Sequence, residues 1–129
     1  MFEAGALSLD RLEPRFAVCA SNALADGQFR KLAIIFEGQA EECLLIRHAG
    51  RVHAYINRCV HMPRRLDGEA PQIFDPTGRF LRCTMHGIVF EPSTGASVSA
   101  ICEGERLRAI EVYEADGEIG IADFRVRPV

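Results

Sequence analysis

Two short stretches concentrate the groups that bind metals: Cys59-Val60-His61 and, after 21 intervening residues, Cys83-Thr84-Met85-His86 followed by Gly87. Each couples one thiol to one imidazole. A thiolate and a neutral imidazole both suit transition metals of intermediate to soft character, so the two pairs form a four-donor set. A solitary Cys behaves as a small hydrophobe and a solitary His is usually structural, but the doubled pairing argues for a metal centre. Two Cys and two His also make a common tetrahedral zinc set, and spacing alone does not exclude it. A C₂H₂ finger, however, takes both histidines from one helix at H-x₃₋₅-H, whereas here each His is tied to its own Cys and neither motif opens a helix. A β core of this size also has less need of a metal staple.

The elements that must position these residues read as short strands. From Arg15 onward, apolar runs rich in branched and aromatic side chains are each closed by a turn signal. Strands are expected at Phe16 to Ala20, Phe29 to Phe36, Cys43 to His48 and Val52 to Asn57, the last two joined by Ala49-Gly50-Arg51. In the second arm of that hairpin Val52, Ala54 and Ile56 share one face. Further strands are expected at Phe80 to Arg82, Ile88 to Phe90 and Ala96 to Ile101, with Pro92-Ser93-Thr94-Gly95 between the latter two. Arg108 to Tyr113 and Glu118 to Ala122 flank Ala115-Asp116-Gly117 as a closing hairpin. One helical turn is expected at Ser21 to Ala25, with Ser21 or Asn22 as its cap. Each metal-binding motif thus follows a strand, so both project from hairpin ends. The expected fold class is all-β, an antiparallel sandwich or partly closed barrel.

Length and composition bound the rest. With 129 residues and 48% hydrophobic content, the chain can build one ordinary core, so residues 1–129 are expected to form a single domain, with 1–13 as an arm. No repeat or low-complexity tract divides it. The formal charge is -3 and the basic residues are scattered, which argues against nucleic acid as a partner. The first 16 residues, MFEAGALSLDRLEPRF, lack the basic and apolar regions of an export signal, and the longest apolar stretch, Leu32 to Phe36, is far short of the roughly 20 residues of a membrane span. The expectation is a cytoplasmic protein with no membrane partner. Five cysteines, an odd count, argue against a disulfide framework. Cys19, Cys43 and Cys102 have no partner at ligand spacing and are expected to pack in the interior. His48 and His53 lie near the hairpin turn and are read as solvent-facing or hydrogen-bonded, with no further role.

The paired motifs resemble those of the Rieske family, C-x-H followed at a distance by C-x-x-H-G. The resemblance runs from about Arg15 to Ile121, through Tyr55-Ile56-Asn57-Arg58, Leu66, the stretch Phe90 to Gly95, and the closing Arg106-Leu107-Arg108, Val112-Tyr113-Glu114 and Asp116-Gly117-Glu118. It implies one [2Fe-2S] cluster, with Cys59 and Cys83 on the inner iron and His61 and His86 on the outer one. It also implies a cluster-binding part of about residues 57–95, built from two hairpin loops. Replacing two thiolates by imidazoles removes negative charge and makes such a cluster easier to reduce than an all-cysteine one.

The chain departs from the family pattern in several places. The spacer between the motifs is longer than is common, which implies an added loop or hairpin within residues 67–78. Pro63 stands where the family often has Gly, and Val60 and Thr84 where it often has Pro. Respiratory members carry a disulfide between the two ligand loops, and the corresponding positions here are Arg64 and Met85. They also place a Ser after the H-G pair to hydrogen-bond a cluster sulfur, where this chain has Ile88. Without those hydrogen bonds the potential is expected toward the low end of the Rieske range of about -150 to +300 mV. The covering loop, expected at Ser99 to Gly104, lacks the usual proline. Met62, Leu66, Ile88 and Ile101 are candidates for an apolar cover, and ordinary core packing accounts for them equally well. Arg58, Arg64, Arg65 and Arg82 gather around the ligands and serve either to stabilise the reduced cluster, as a docking rim, or as surface residues without a special task.

The function this implies is one-electron transfer, as a ferredoxin component between a flavin-dependent reductase and a terminal oxygenase. A small electron-transfer or redox-sensing subunit of a larger oxidoreductase and a zinc-stabilised binding module are the alternatives. A substrate site is not expected: the chain has no second metal motif and no glycine-rich cofactor fingerprint, and it ends at Val129 with no room for the mononuclear-iron domain of the family's oxygenase large subunits.

Overall fold

A computed structural model describes residues 15–58, 73–82, 88–99 and 105–129. The described residues form ten strands: β1 Phe16–Ala20, β2 Phe29–Phe36, β3 Gln39–His48, β4 Arg51–Ile56, β5 Leu81–Arg82, β6 Val89–Phe90, β7 Ala109–Ile110, β8 Val112–Ala115, β9 Glu118–Ile121 and β10 Val126–Pro128. They assemble into a five-stranded sheet in the order β10-β2-β3-β4-β7, a three-stranded sheet β1-β9-β8 and a two-stranded ribbon β5-β6, every pairing antiparallel. The all-β expectation holds.

Three two-residue turns set the register. Glu37-Gly38, Ala49-Gly50 and Asp116-Gly117 all have positive φ at both positions, which matches the twist of the flanking strands. They pair Phe36 with Gln39, His48 with Arg51 and Ala115 with Glu118. The last two are the hairpins expected from sequence, although Arg51 belongs to the strand rather than the turn. The Glu37-Gly38 turn extends β3 four residues upstream of its expected start at Cys43, so β2 and β3 form one long hairpin.

The central strands are covered on both faces, which explains the unbroken apolar run Cys43-Leu44-Leu45-Ile46. Alternate side chains enter different cores. Cys43, Leu45, Ala54 and Ile56 face the three-stranded sheet and pack with Ile34, Phe36, Ile119, Ile121 and Val126. Leu44, Ile46 and Tyr55 face the ribbon and pack with Ile73, Leu81, Ile88, Phe90 and Leu107. Val52 joins the first set, so Val52, Ala54 and Ile56 share a face as expected.

Arg108 to Tyr113, expected as one strand, is two. Ala109–Ile110 closes the five-stranded sheet against β4, whereas Val112–Ala115 pairs with β9 in the other sheet. The chain changes sheets at Glu111, whose N–H and C=O would be orphaned there. Asp123, 3% exposed, supplies the acceptor: its Oδ2 takes the Glu111 N–H at 3.0 Å, while the Glu111 carbonyl accepts from Ala122 N at 3.0 Å. Arg125 forks onto Asp123 at 2.9 and 2.7 Å and donates to the Ala109 carbonyl at 3.0 Å, so the switch is bolted from both sides. Burial alone would raise the Asp123 carboxyl, but hydrogen bonds from Arg125 and the Glu111 and Arg125 amides outweigh it and hold the group below its ordinary value.

The single turn after β1 is a 3₁₀ turn at Ser21–Ala23. Ala20 occupies the cap position, and no side chain caps it, in place of the Ser21 or Asn22 cap expected. Arg47 secures this turn instead. Its guanidinium donates to the carbonyls of Leu24, Ser21 and Gly50 and forks onto Glu114 at 3.1 and 2.7 Å, joining β3, the turn and β8.

Candidate metal centre

Cys59, His61, Cys83 and His86 lie outside the described residues, as do Met62, Arg64, Arg65, Leu66 and Ile101. The strands that lead into both motifs are described. β4 runs beneath the ribbon with Leu44 opposite Tyr55 and Cys43 opposite Ile56. Pairing continues one residue further, because Asn57 N–H donates to the Glu42 carbonyl at 2.8 Å. Arg58 N–H then turns back to the Ile56 carbonyl at 2.8 Å. Side chains hold the same two positions. Asn57, 4% exposed, donates from Nδ2 to Glu42 Oε1 at 2.8 Å, and Arg58 Nη2 meets both oxygens of Glu41 at 2.9 and 3.2 Å. Cys59 follows directly.

The second motif is reached through β5. Leu81 pairs with Phe90 and Arg82 with Val89, and Arg82 N–H donates to the Ile73 carbonyl at 2.7 Å. Phe74 bridges to Leu81, and between them Asp75 N–H bonds the Phe80 carbonyl at 2.8 Å while Asp75 Oδ1 accepts from Thr77 Oγ1 at 2.8 Å. The described end of the long spacer is therefore a hairpin packed on the ribbon. Leu81 and Phe90 are fully buried, each gaining roughly 1.5–3 kcal/mol by leaving water. On the far side of β6, Val98 N–H donates to the Val89 carbonyl and Val89 N–H to Ser99 Oγ, both at 2.9 Å, which fixes the start of the expected covering loop.

Tyr55 ties the ribbon to the sheet. Its hydroxyl donates to the Pro92 carbonyl at 2.6 Å, and its ring lies against Gly95, where a Cβ would sit 2.7 Å from Tyr55 Cε1. Gly95 also has φ of +76°, so glycine is required there twice over. The strands that precede the two motifs in sequence thus share one core, Leu44, Ile46, Tyr55, Leu81, Ile88 and Phe90.

The remaining candidates separate by position. Ile88 is 2% exposed within that core, so packing accounts for it. Arg58 is paired with Glu41, while the exposed Arg82 has no ion-pair partner among the described residues. Cys43 is fully buried and Cys19 half-buried, both free thiols, and burial pushes the Cys43 thiol up to about 12. Cys102 lies outside the described residues. His48 and His53 are half-buried on adjacent strands. Burial, then the nearby His48 and Arg51, hold His53 below its ordinary value against the pull of Glu91. Among the described residues no group of three or more His, Cys, Asp or Glu could hold a metal ion. Glu41 and Glu42 carry no signal in the sequence; the hairpin register sets them opposite Arg58 and Asn57, the two residues before Cys59.

By residue type the donor set Cys59, His61, Cys83 and His86 fits a mixed-ligand iron-sulfur centre: two thiolates would neutralise a cationic core and two neutral imidazoles would complete the coordination. No curated protein matches the chain significantly in sequence. The family model for the Rieske [2Fe-2S] domain matches residues 15–114. Among solved structures, the ferredoxin of carbazole 1,9a-dioxygenase from Nocardioides aromaticivorans is 23% identical, with a TM-score of 0.64 over 84% of this chain and 97% of that one. A complex of reduced oxygenase and oxidised ferredoxin of carbazole 1,9a-dioxygenase contains a chain 24% identical, with a TM-score of 0.67 over 86% and 94%. A carbazole-bound oxygenase–ferredoxin complex matches at 21% identity and a TM-score of 0.67, over 88% of this chain but 30% of that longer one. No helix among the described residues is long and apolar enough to cross a membrane. With a match over most of its length and the paired Cys/His motifs in place, the chain belongs to the Rieske [2Fe-2S] domain family.

Proposed function

We propose that Cys59, His61, Cys83 and His86 hold the cluster and that the chain, as one domain, relays single electrons between a flavin-dependent reductase and a terminal oxygenase in the cytoplasm. The observation that supports this reading is that β4 and β5, the strands that precede the two Cys/His pairs in sequence, share one core. When bound, the cluster supplies one-electron redox chemistry. The two thiolates balance the charge of the oxidised core, leaving the chain near its formal -3. His61 and His86 keep a ring N–H whose acidity ferric iron would increase, so the potential should fall with rising pH in the alkaline range. Ile88, Leu81 and Phe90, beside the second pair in sequence or on the ribbon that leads to it, are buried in one core.

A relay role without a substrate site accords with the near full-length likeness to the ferredoxin of carbazole 1,9a-dioxygenase. The likeness to 30% of a longer chain favours a second reading, a small electron-transfer subunit of a larger oxidoreductase. Electron paramagnetic resonance of dithionite-reduced protein tests the centre. A one-electron signal with the low average g of mixed His/Cys ligation is expected, whereas a silent, colourless, zinc-containing sample would sink the iron-sulfur reading. Reduction by a flavoprotein and re-oxidation by an oxygenase, followed by stopped flow, separates a free carrier from a subunit that is stable only with its partner.

A further inference from the structure

The chain leaves β4 between two carboxylates. Glu41 and Glu42, consecutive on β3, stand opposite Arg58 and Asn57, the two residues before Cys59. Residues opposite one another in an antiparallel pair share a face, and neighbours alternate. Glu42 therefore meets Asn57 on the ribbon side, and Glu41 meets Arg58 on the side of the other core. Backbone pairing does not need either contact, since Asn57 N–H already reaches the Glu42 carbonyl. What the two side-chain contacts add is restraint from both faces at the point where Arg58 N–H turns back to Ile56 and the chain departs the sheet.

The required precision is high. A swing of about 10° over the ~7 Å from Asn57 to Cys59 would carry the thiolate about 1 Å. Metal–ligand distances tolerate only about 0.2 Å. A two-residue lever with no side-chain hold would exceed that tolerance in ordinary strand-end motion. Asn57 is buried and its amide donates to Glu42, and Glu41, 15% exposed, grips Arg58 with both oxygens.

We propose that Glu41 and Glu42 are positioning residues for the first ligand loop, holding Arg58 and Asn57 so that Cys59 is presented in one orientation. This rests on the reading of Cys59 as a ligand. The test compares wild-type protein with Glu42→Ala, Glu42→Gln, Asn57→Ala, Glu41→Ala and Cys59→Ala. The readouts are the resonance lineshape of the reduced cluster and the rate at which visible absorbance bleaches under an iron chelator. Glu42→Ala and Asn57→Ala should broaden the signal and lose the cluster about ten- to a hundred-fold faster. Glu42→Gln keeps an acceptor oxygen for Asn57 and should stay near wild type. If Glu42→Ala does not fold, Glu41→Ala, whose partner Arg58 is half exposed, carries the same expectation. Wild-type lineshape and bleaching in the alanine variants, with Cys59→Ala devoid of cluster, would overturn the positioning role and leave the ligand assignment standing. A Cys59→Ala protein with the wild-type spectrum would overturn both.

Discussion

Single residues show how surroundings set the behaviour of a residue type in this chain. Cys43 is sealed between the two larger sheets, with burial raising its thiol to about 12, so it holds almost no thiolate at neutral pH. It should resist iodoacetamide in the native protein and react only on unfolding, and labelling followed by mass spectrometry checks this; fast native labelling at Cys43 would contradict the packing. Gly95 is the second case. A methyl there would meet the Tyr55 ring at 2.7 Å and Leu107 Cβ at 3.3 Å in a left-handed backbone, so Gly95→Ala should cost about 2–4 kcal/mol. Gly78 has a similar φ of +75° but nothing within 4 Å, so Gly78→Ala should cost only about 1 kcal/mol. Urea unfolding of the two variants measures the difference, and equal losses would mean that φ alone decides.

At the level of elements, the ribbon β5-β6 is too short to stand alone, since two paired residues a side give little ladder. Its attachment is apolar: Leu81 and Phe90 go into the core with Leu44, Ile46 and Tyr55. Leu81→Ala should therefore cost about 2–5 kcal/mol. It should also loosen the route to Cys83 while the remote hairpin β8-β9 keeps its protection, a contrast that amide hydrogen exchange resolves. Uniform loss of protection across β8, β9 and the ribbon would show that the ribbon is not a separate unit. The opposite corner is polar. Arg47 spends its guanidinium on three carbonyls and Glu114, a planar fork that lysine cannot reproduce. Arg47→Lys should lower stability by about 1–3 kcal/mol, and a thermal midpoint equal to wild type would show that the fork is dispensable.

Across the molecule, the shifted groups that titrate on acidification from pH 7 share one direction, each holding its proton more weakly in the fold. His53 is held below its ordinary value of 6.5, first by burial and then by His48 and Arg51. A base that binds its proton more weakly when folded contributes stability that is present above that value and declines as pH falls below it. Glu91 is held low first by Ser93, and Glu114 first by Arg47. Asp123 is held low by Arg125 and two amides against its burial. These carboxylates contribute above their ordinary values of 4.5 and 3.8, and that contribution is lost as pH falls through the folded values. The thermal midpoint should hence fall on acidification from pH 7, gently toward pH 5 and steeply below 4. His53→Gln should flatten the first segment, and a midpoint that rises between pH 7 and 5 would contradict the assignment.

Local chemistry was legible without coordinates. The donor pairs Cys59/His61 and Cys83/His86 are named by residue type and spacing. β1 and β2 matched their expected bounds because turn residues and alternating apolar positions are local signals. The family assignment followed from the same residues. Only the tertiary structure could reveal that Arg108 to Tyr113 divides between two sheets, since the cause, Asp123 accepting the Glu111 N–H, lies 12 residues away. β10, a three-residue edge strand containing Pro128, carries too little pattern to be read alone and exists through its pairing with β2. The hold on Asn57 and Arg58 was hidden for the same reason. Residue types announce which groups can bind a metal, but Glu41 and Glu42 become its supports only when β3 folds back against β4 and sets them opposite the strand's last two residues.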